Sequence, residues 1–539
     1  MLTGNSKFYR YAAWAVFAVV LVLILLTFLD YGITWDEELQ SQYGLAIADY
    51  YASWFKDHRF DEIFNLYLYG GMFDGLAAVV DQYLPLRIYD SRHLLNALFG
   101  LLGMWGTWRV GRLLGDGATA LLALILLATV PMYYGHMFNN PKDIPFAVGI
   151  IWIVYFMTRS YAKPELPVLL KLGVVLGLTL GVRVGGAMIF FFWLAPMGIV
   201  AGLPWLRQRN GENARVVFKD VWHKAWRVVL PVGAVGYAVM LLCWPWAQQN
   251  PIMNPLHALA EFSNFPQIVE VLFDGTTYMS TDLPWYYVPL YFGIQLPELL
   301  LFLLAASVFF LPKTWRHFTL AQKQGFSLIV LMMGVPVLYA MLRHPALYDN
   351  VRHFLFAVPL MCVVAALGAR TGFVWCVSQF RNHAAKHAVA AALCVFVAIL
   401  LGSQIVIMAR LHPYEYIYDN QFIGGVSGAY GKYSSDYWGS SFKDAAQRIQ
   451  ELVAKEGGVP DGKIFKIAIC GPWDAAMIYL PPDYEAVTAD KPADFFLATT
   501  RWMCQNMRPG KEVIRIQRMG VPLAVVKDLR GGFEVYKGK

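Results

Sequence analysis

The sequence predicts a polytopic α-helical membrane protein of about eleven spans, followed by an extracytoplasmic α/β segment. Three observations predict it. The 539 residues are 58% hydrophobic and only 15% charged. Mainly apolar stretches of about 20 residues, the length of a membrane span, recur along the chain. Hydropathy then falls after about residue 409, where the pattern becomes that of a water-soluble fold.

The apolar stretches lie near 11–29, 93–113, 117–134, 144–160, 166–182, 185–206, 228–246, 286–311, 325–342, 354–370 and 388–408. Lys7 and Arg10 precede the first, as in a signal peptide, but the stretch is long and lacks a small-x-small cleavage site, so it reads as a retained anchor. Lys and Arg set the orientation. With the N-terminus in the cytoplasm, the inner loops collect Lys7, Arg10, Arg109, Arg112, Arg159, Lys163, the run from Arg207 to Arg227, Lys313, Arg316, Lys323, Arg381 and Lys386, while the short outer loops carry Lys142, Arg183, Arg343 and Arg352. An odd number of spans puts the segment after 409 outside, which in a bacterial inner (plasma) membrane is the periplasmic or extracellular side. The net charge of +7 follows from this topology and gives no argument for nucleic acid.

The chain thus divides into a membrane domain, 1–408, and a soluble domain, 409–539. Within the first, the outer loop 30–92 alternates acidic residues with aromatics, and Tyr43, Ile47, Tyr50, Tyr51 and Trp54 share one face of a helix directed at lipid or at the bundle. A second outer segment, 247–285, is rich in Pro, Asn, Asp and Thr and reads as a connector or a mobile lid. In the soluble domain, Phe442 to Val453 predicts a helix. Ile464–Ile469, Phe495–Thr499, Leu523–Val526 and Phe533–Tyr536 predict strands, with Pro522 just ahead of the third. Cys243, Cys362, Cys376 and Cys394 fall in or near spans and read as packed small hydrophobes; Cys470 and Cys504 lie outside, where a disulfide can form.

Three groups of charged residues converge on the outer face. Thr34-Trp35-Asp36-Glu37 follows the first span; it is a pair of carboxylates and also a capping box, in which Glu37 reaches back to an orphan amide. Asn139-Asn140-Pro141-Lys142-Asp143 is a helix start with Asn140 as cap, yet capping does not require Lys142. Arg343-His344-Pro345 and Asn350-Val351-Arg352-His353 place two Arg-His pairs on the side where cations are disfavoured, an arrangement that suits a phosphate. Lipid headgroups or the acidic first loop are the other partners open to them. No metal centre is assigned, because His136, His257, His344, His353 and His412 show no HxxxH or HxH spacing; Asp36, Glu37 and Asp143 could hold a divalent cation at phosphate. The glycines between Gly173 and Gly186 repeat at helical spacing and serve packing, and no phosphate-cradling loop or Gly-x-Ser-x-Gly motif is present.

In this order, Thr34-Trp35-Asp36-Glu37, Asn140-Pro141-Lys142-Asp143 and the run Asn350-Val351-Arg352-His353-Phe354-Leu355-Phe356-Ala357-Val358-Pro359 resemble the GT-C superfamily of membrane glycosyltransferases, in the protein O-mannosyltransferase and lipid A aminoarabinose transferase branch. The resemblance covers about residues 10–370. His412-Pro413-Tyr414-Glu415-Tyr416 with Gly424-Gly425 and Asp436-Tyr437-Trp438-Gly439 also looks like a segment of uncharacterised bacterial members. No stretch resembles the β-trefoil module of O-mannosyltransferases, which favours a lipid or glycan acceptor over a protein.

The resemblance implies an inverting transfer of a sugar from a polyprenyl-phosphate donor to an acceptor hydroxyl or phosphate outside the cytoplasm. It makes Asp36 the general base, with Glu37 the second choice. Glu37 or Asp143 would orient the acceptor or stabilise the sugar, and Lys142, Arg343, Arg352 and His353 would hold the donor phosphate. Two other classes remain: a lipid or solute transporter or flippase, and a non-catalytic subunit of an envelope glycan assembly. The transporter class is disfavoured by charges gathered on one face and by the lack of paired broken helices.

Overall fold

The computed structural model describes residues 6–185, 192, 195–196, 214–263 and 268–530. It is a helical bundle with a mixed sheet at its C-terminal end. In chain order the first helices are α1 (Ser6–Thr27), α2 (Glu37–Ala52), α3 (Met72–Asp81), α4 (Ile88–Leu114), α5 (Gly117–Ala128), α6 (Pro131–Asn139), α7 (Asp143–Ala162) and α8 (Leu166–Leu180). Long helices follow at Ala214–Leu242, Glu298–His317, Leu320–Arg343, Ala357–Ser378 and His383–Leu411.

Among the described residues, six helices are long and apolar enough to cross a membrane, or seven if α5 and α6, bent by 64° at their junction, form one broken span. The difference from eleven has local causes. Pro131 starts α6 after the non-helical Val130, so 117–134 is two helices. Pro297 divides 286–311 into Tyr287–Gln295 and Glu298–His317. The stretch 166–182 is the short α8, and 185–206 lies largely outside the described residues.

Helix α4 is long, but it carries Arg92, His93, Arg109 and Arg112. Arg92 and His93 are buried and have partners from the first loop: Arg92 Nη2 lies 2.5 Å from Asp74 Oδ1, and His93 Nε2 lies 2.9 Å from Glu37 Oε1. That loop therefore docks onto α4 through an ion pair and a buried hydrogen bond. The face predicted on α2 packs within the loop itself, where Tyr43, Ala46, Ile47 and Tyr50 form a cluster with Phe60 and Leu66. Trp54 is exposed, at φ 56° beyond the helix end.

The segment 247–285 contains more structure than expected. Strands β1 (Glu270–Phe273) and β2 (Thr276–Met279) form an antiparallel hairpin turned at Asp274-Gly275, both at positive φ, as two-residue hairpin turns require. The C-terminal sheet has the order β4-β3-β5-β7-β6, with β3 (Phe465–Cys470) parallel to β4 (Tyr484–Thr488) and β5 (Phe495–Thr499), and β7 (Val521–Asp528) antiparallel to β5 and β6 (Lys511–Arg518). The helix Phe442–Lys455 lays Phe442, Ala445, Ile449 and Val453 on it. Pro522 sits inside β7, and the strand predicted at Phe533–Tyr536 falls outside the described residues.

Residues 411–443 tie this sheet to the bundle. One core contains Ile33 and Tyr89 of the first loop together with Leu411, Tyr414, Trp438 and the sheet residues. Lys443 Nζ donates to Tyr31 O at 3.2 Å and to Leu29 O, so the chain just past α1 is held by the C-terminal segment. At Gly135 in α6 a Cβ would lie 2.6 Å from Tyr416 N, so any side chain would separate the two segments.

Because Arg92 and Asp74 are only 1% and 3% exposed, loss of one partner leaves an uncompensated buried charge. Arg92→Met should destabilise the protein by about 3–5 kcal/mol, seen as a lowered midpoint of thermal unfolding in detergent. The double change Arg92→Met with Asp74→Leu should recover most of that loss.

Candidate active site

At the start of α2 the two adjacent carboxylates part. Glu37 Oε2 accepts from the Thr34 amide at 2.8 Å and Oε1 meets His93, so this carboxylate is fastened inward. This is half of the expected capping box. Asp36, about 100° around the helix, makes no capping bond and is exposed to the space between the first loop and the bundle.

The turn between α6 and α7 is fixed by Asn140, whose Oδ1 accepts from the Asp143 amide at 2.9 Å and whose Nδ2 donates to Asp143 Oδ2 at 2.8 Å. Asp143 is then committed to two cations: Arg183 at 2.6 Å and Arg352 at 3.5 Å. Arg352 also meets Asp349 at 3.2 Å, and Asp349 meets Arg501 at 2.8 Å. The order Arg183, Asp143, Arg352, Asp349, Arg501 is a line of alternating charge, and all five side chains are mostly buried.

The Asp436-Tyr437-Trp438-Gly439 motif supports this line from the C-terminal side. Asp436 Oδ1 accepts from the Gly439 amide at 2.9 Å, closing a turn that presents Trp438 to the Arg352 guanidinium, 5.4 Å from the ring centre. Tyr437 Oη is 3.1 Å from His136 Nε2, and His136 Nδ1 is 3.1 Å from Asn140 Nδ2. The C-terminal motif thus reaches the helix start that carries Lys142.

Two cavities meet at Asp36, Tyr69, Lys142, Tyr348 and Arg352. The outer one, about 260 Å³, is aromatic and polar, with Trp35, Gln40, Trp438, Arg501 and Trp502 in its wall. The inner one, about 370 Å³, is largely apolar: Phe146 and Ile150 come from α7, and Met332, Pro336 and Ala340 from the helix Leu320–Arg343. Arg183 and His353 stand in the inner wall, near the junction. Lys142 Nζ lies 3.9 Å above the Tyr69 ring. Burial pushes its amine down to about 8, against the opposing pull of Asp74 and Asp36. Burial, and then the neighbouring Arg352, push the His353 imidazole down to about 3, so it is neutral at physiological pH.

Of the residues singled out in the sequence, Asp36, Lys142, Arg352 and His353 come together here. Glu37, Asp143 and Arg343 line neither cavity. Glu37 is occupied by Thr34 and His93, and Asp143 holds Arg183 and Arg352. Arg343 ends its helix, where His344 turns the chain at φ 47°, and is exposed. The cation ligand set suggested for Asp36, Glu37 and Asp143 does not assemble, because two of the three are bound elsewhere; among the described residues no three His, Cys, Asp or Glu side chains converge. Arg183 carries the same sequence signal as Arg352, an outer-face cation in a short loop. Arg501 and Trp502 carry none, because they lie far along the chain, between β5 and β6.

Residues 90–209 match the family model described as dolichyl-phosphate-mannose-protein mannosyltransferase. The matched residues begin in α4, run past α8 and include Lys142, Asp143 and Arg183; Asp36 and Arg352 lie on either side of them. No curated protein sequence matches the chain. Among solved structures, the chain is similar to the apo oligosaccharyltransferase of Archaeoglobus fulgidus (13% identity, 91% of this chain and 66% of that one, just under two thirds of its length, TM-score 0.48). It is also similar to ArnT from Cupriavidus metallidurans bound to undecaprenyl phosphate (14% identity, 98% of each chain, TM-score 0.44) and to the arabinofuranosyltransferase AftD from Mycobacteria (12% identity, 97% of this chain and 40% of that one, TM-score 0.42).

The lowered pKa of Lys142 gives a pH signature for an anionic ligand. A bound phosphate favours the ammonium, and the free protein loses that proton as pH rises through about 8. Affinity for an anionic amphiphile such as dodecyl phosphate, measured by titration into protein in nanodiscs, should therefore fall above pH 8, by up to about tenfold per pH unit. Lys142→Arg should flatten the profile.

Proposed function

We propose that the protein transfers a sugar from a polyprenyl-phosphate donor to an acceptor hydroxyl at the outer face of a bacterial plasma membrane. The observation that carries this reading is the meeting of an apolar cavity and an aromatic, polar cavity at one carboxylate and two cations. The polyprenyl chain lies in the inner cavity, its phosphate at Lys142, Arg352 and Arg183, and the acceptor enters through the outer one. The family matching 90–209 is named for dolichyl-phosphate-mannose, which supports a lipid-phosphate donor.

Asp36 takes the proton of the acceptor hydroxyl as that oxygen attacks the anomeric carbon. The bond from this carbon to the phosphate oxygen breaks, its electron pair leaves with the lipid phosphate, and the configuration inverts. Lys142, Arg352 and Arg183 offset the charge gathering on the departing phosphate. His353, neutral, offers the phosphate a ring N–H, its tautomer set by the bound anion. Asp143 is a positioning residue: its two oxygens hold the Arg183 and Arg352 guanidinium groups toward the junction. The orientation follows the distribution of Lys and Arg, with the N-terminus inside and the C-terminal domain outside.

The test incubates purified full-length protein with radiolabelled polyprenyl-phosphate sugars and a cell-envelope extract. Asp36→Asn should lower transfer by about 10²–10⁴-fold while leaving undecaprenyl phosphate binding intact. Undiminished transfer would remove Asp36 as the base, a product of retained configuration would exclude direct displacement, and no transfer from any donor would overturn the reading.

A further inference from the structure

We infer that the outer cavity is an acceptor site for a carbohydrate, with Trp502 and Trp35 as the surfaces on which a pyranose ring packs. The inference rests on the transfer reaction proposed above and names the class of its acceptor.

Two indoles from opposite ends of the chain stand together in this wall. Their centres are 6.2 Å apart with planes at 64°, and Trp35 and Trp502 stay 39% and 47% exposed. An indole face is apolar and broad, and the C–H face of a pyranose matches it while the ring hydroxyls radiate toward polar groups. Those polar groups are present. Gln40 and Arg501 line the same cavity, and each keeps a buried polar atom, Oε1 and Nε, without a partner in the protein. One wall therefore offers both an acceptor and a donor. A hydroxyl can serve both, whereas a phosphate or carboxylate serves only the donor. Asp36 lines the same cavity.

A lipid acceptor fits less well. The aliphatic residues of the outer cavity are few, Leu39, Leu66 and Val269, and the long apolar wall belongs to the other cavity.

The loop bearing Trp502 is built to hold its shape. Trp502 and Met503 both adopt left-handed backbone, at φ 54° and 55°, a conformation that costs a non-glycine residue energy and persists where the surroundings fix it. Three anchors surround them: Arg501 Nη1 donates to Tyr437 O at 2.6 Å, the Trp502 indole N–H donates to Glu270 O at 3.3 Å, and Cys504 is joined to Cys470. Such fixing suits a stacking surface more than a structural filler, since the side chain it presents remains half open.

The experiment measures binding to full-length protein in nanodiscs by saturation-transfer NMR. The probes are the methyl pyranosides of mannose, glucose, galactose and N-acetylglucosamine, with cellobiose, lactose and chitobiose; undecaprenyl phosphate binding is titrated in parallel. At least one saccharide should bind the wild type, Trp502→Ala should weaken it tenfold or more, and Trp502→Phe should retain most of it. Undecaprenyl phosphate binding should stay within twofold in both variants, which also shows that they fold. Absence of saccharide binding by a wild type that binds undecaprenyl phosphate, or equal saccharide binding by wild type and Trp502→Ala, would overturn the inference and leave the transfer reading intact. Saccharide binding that depends on Trp502, in a protein that ignores undecaprenyl phosphate, would support the inference and remove the donor half of the reading.

Discussion

The site depends on a problem of charge burial. Three guanidinium groups have been drawn out of water beside the two cavities, and each desolvated ion costs several kcal/mol unless a counter-ion meets it. Asp143 and Asp349 solve this by standing between them, so that each carboxylate serves two cations and Arg352 is held from both sides. The consequence is geometric. A buried arginine with two carboxylates fixed on it cannot sample many rotamers, and its remaining donors are held ready for an anion. The Asn140 cap belongs to the same arrangement, because it fixes the first turn of α7 and with it the position of Asp143.

Around this line the elements divide the work. The bundle supplies the apolar cavity, the first outer loop supplies Asp36 and Trp35, and the C-terminal segment supplies Trp438, Arg501 and Trp502. A membrane unit and an appended soluble unit, as the change in hydropathy suggests, describe the composition of the chain better than its packing. Residues 411–443 are built into the outer end of the bundle, and the core they join holds residues from both units. Glu37 shows why adjacent carboxylates need not act alike. It turns inward to a histidine and an amide, while its neighbour Asp36 is left to the open space of the cavities.

Much of this was legible in the sequence, for identifiable reasons. Short polar motifs at helix starts on the outer face declared Asp36, Lys142, Arg352 and His353, because polar groups at a membrane edge have few structural uses. Asn140 announced its cap through its spacing from Asp143. The number of spans was less legible: bends at Pro131 and Pro297 occur inside stretches that hydropathy treats as continuous, and the polar residues of α4, Arg92 and His93 among them, make a long helix look less apolar than its environment. Arg343 and Arg352 carry the same signal in one loop, yet only the second finds a carboxylate on each side. Strand β6, with Lys511, Glu512, Arg515 and Arg518 among its residues, and the hairpin at Asp274-Gly275 are absent from the expected elements, although the latter carries a recognisable turn pair. Arg501 and Trp502 could not have been found, since only tertiary structure brings them to Asp349 and Trp35.

The pairing of Trp35 with Trp502 also bears on how the molecule comes into being. The wall of the outer cavity joins Trp35 to Trp502, a residue translated long after it. The loop bearing Trp35 and Asp36 is translated long before its counterpart, and until the segment bearing Trp502 has folded the cavity lacks one side. A ribosome-bound chain, however well its helices have packed, carries Asp36 and the cations without an enclosed chamber.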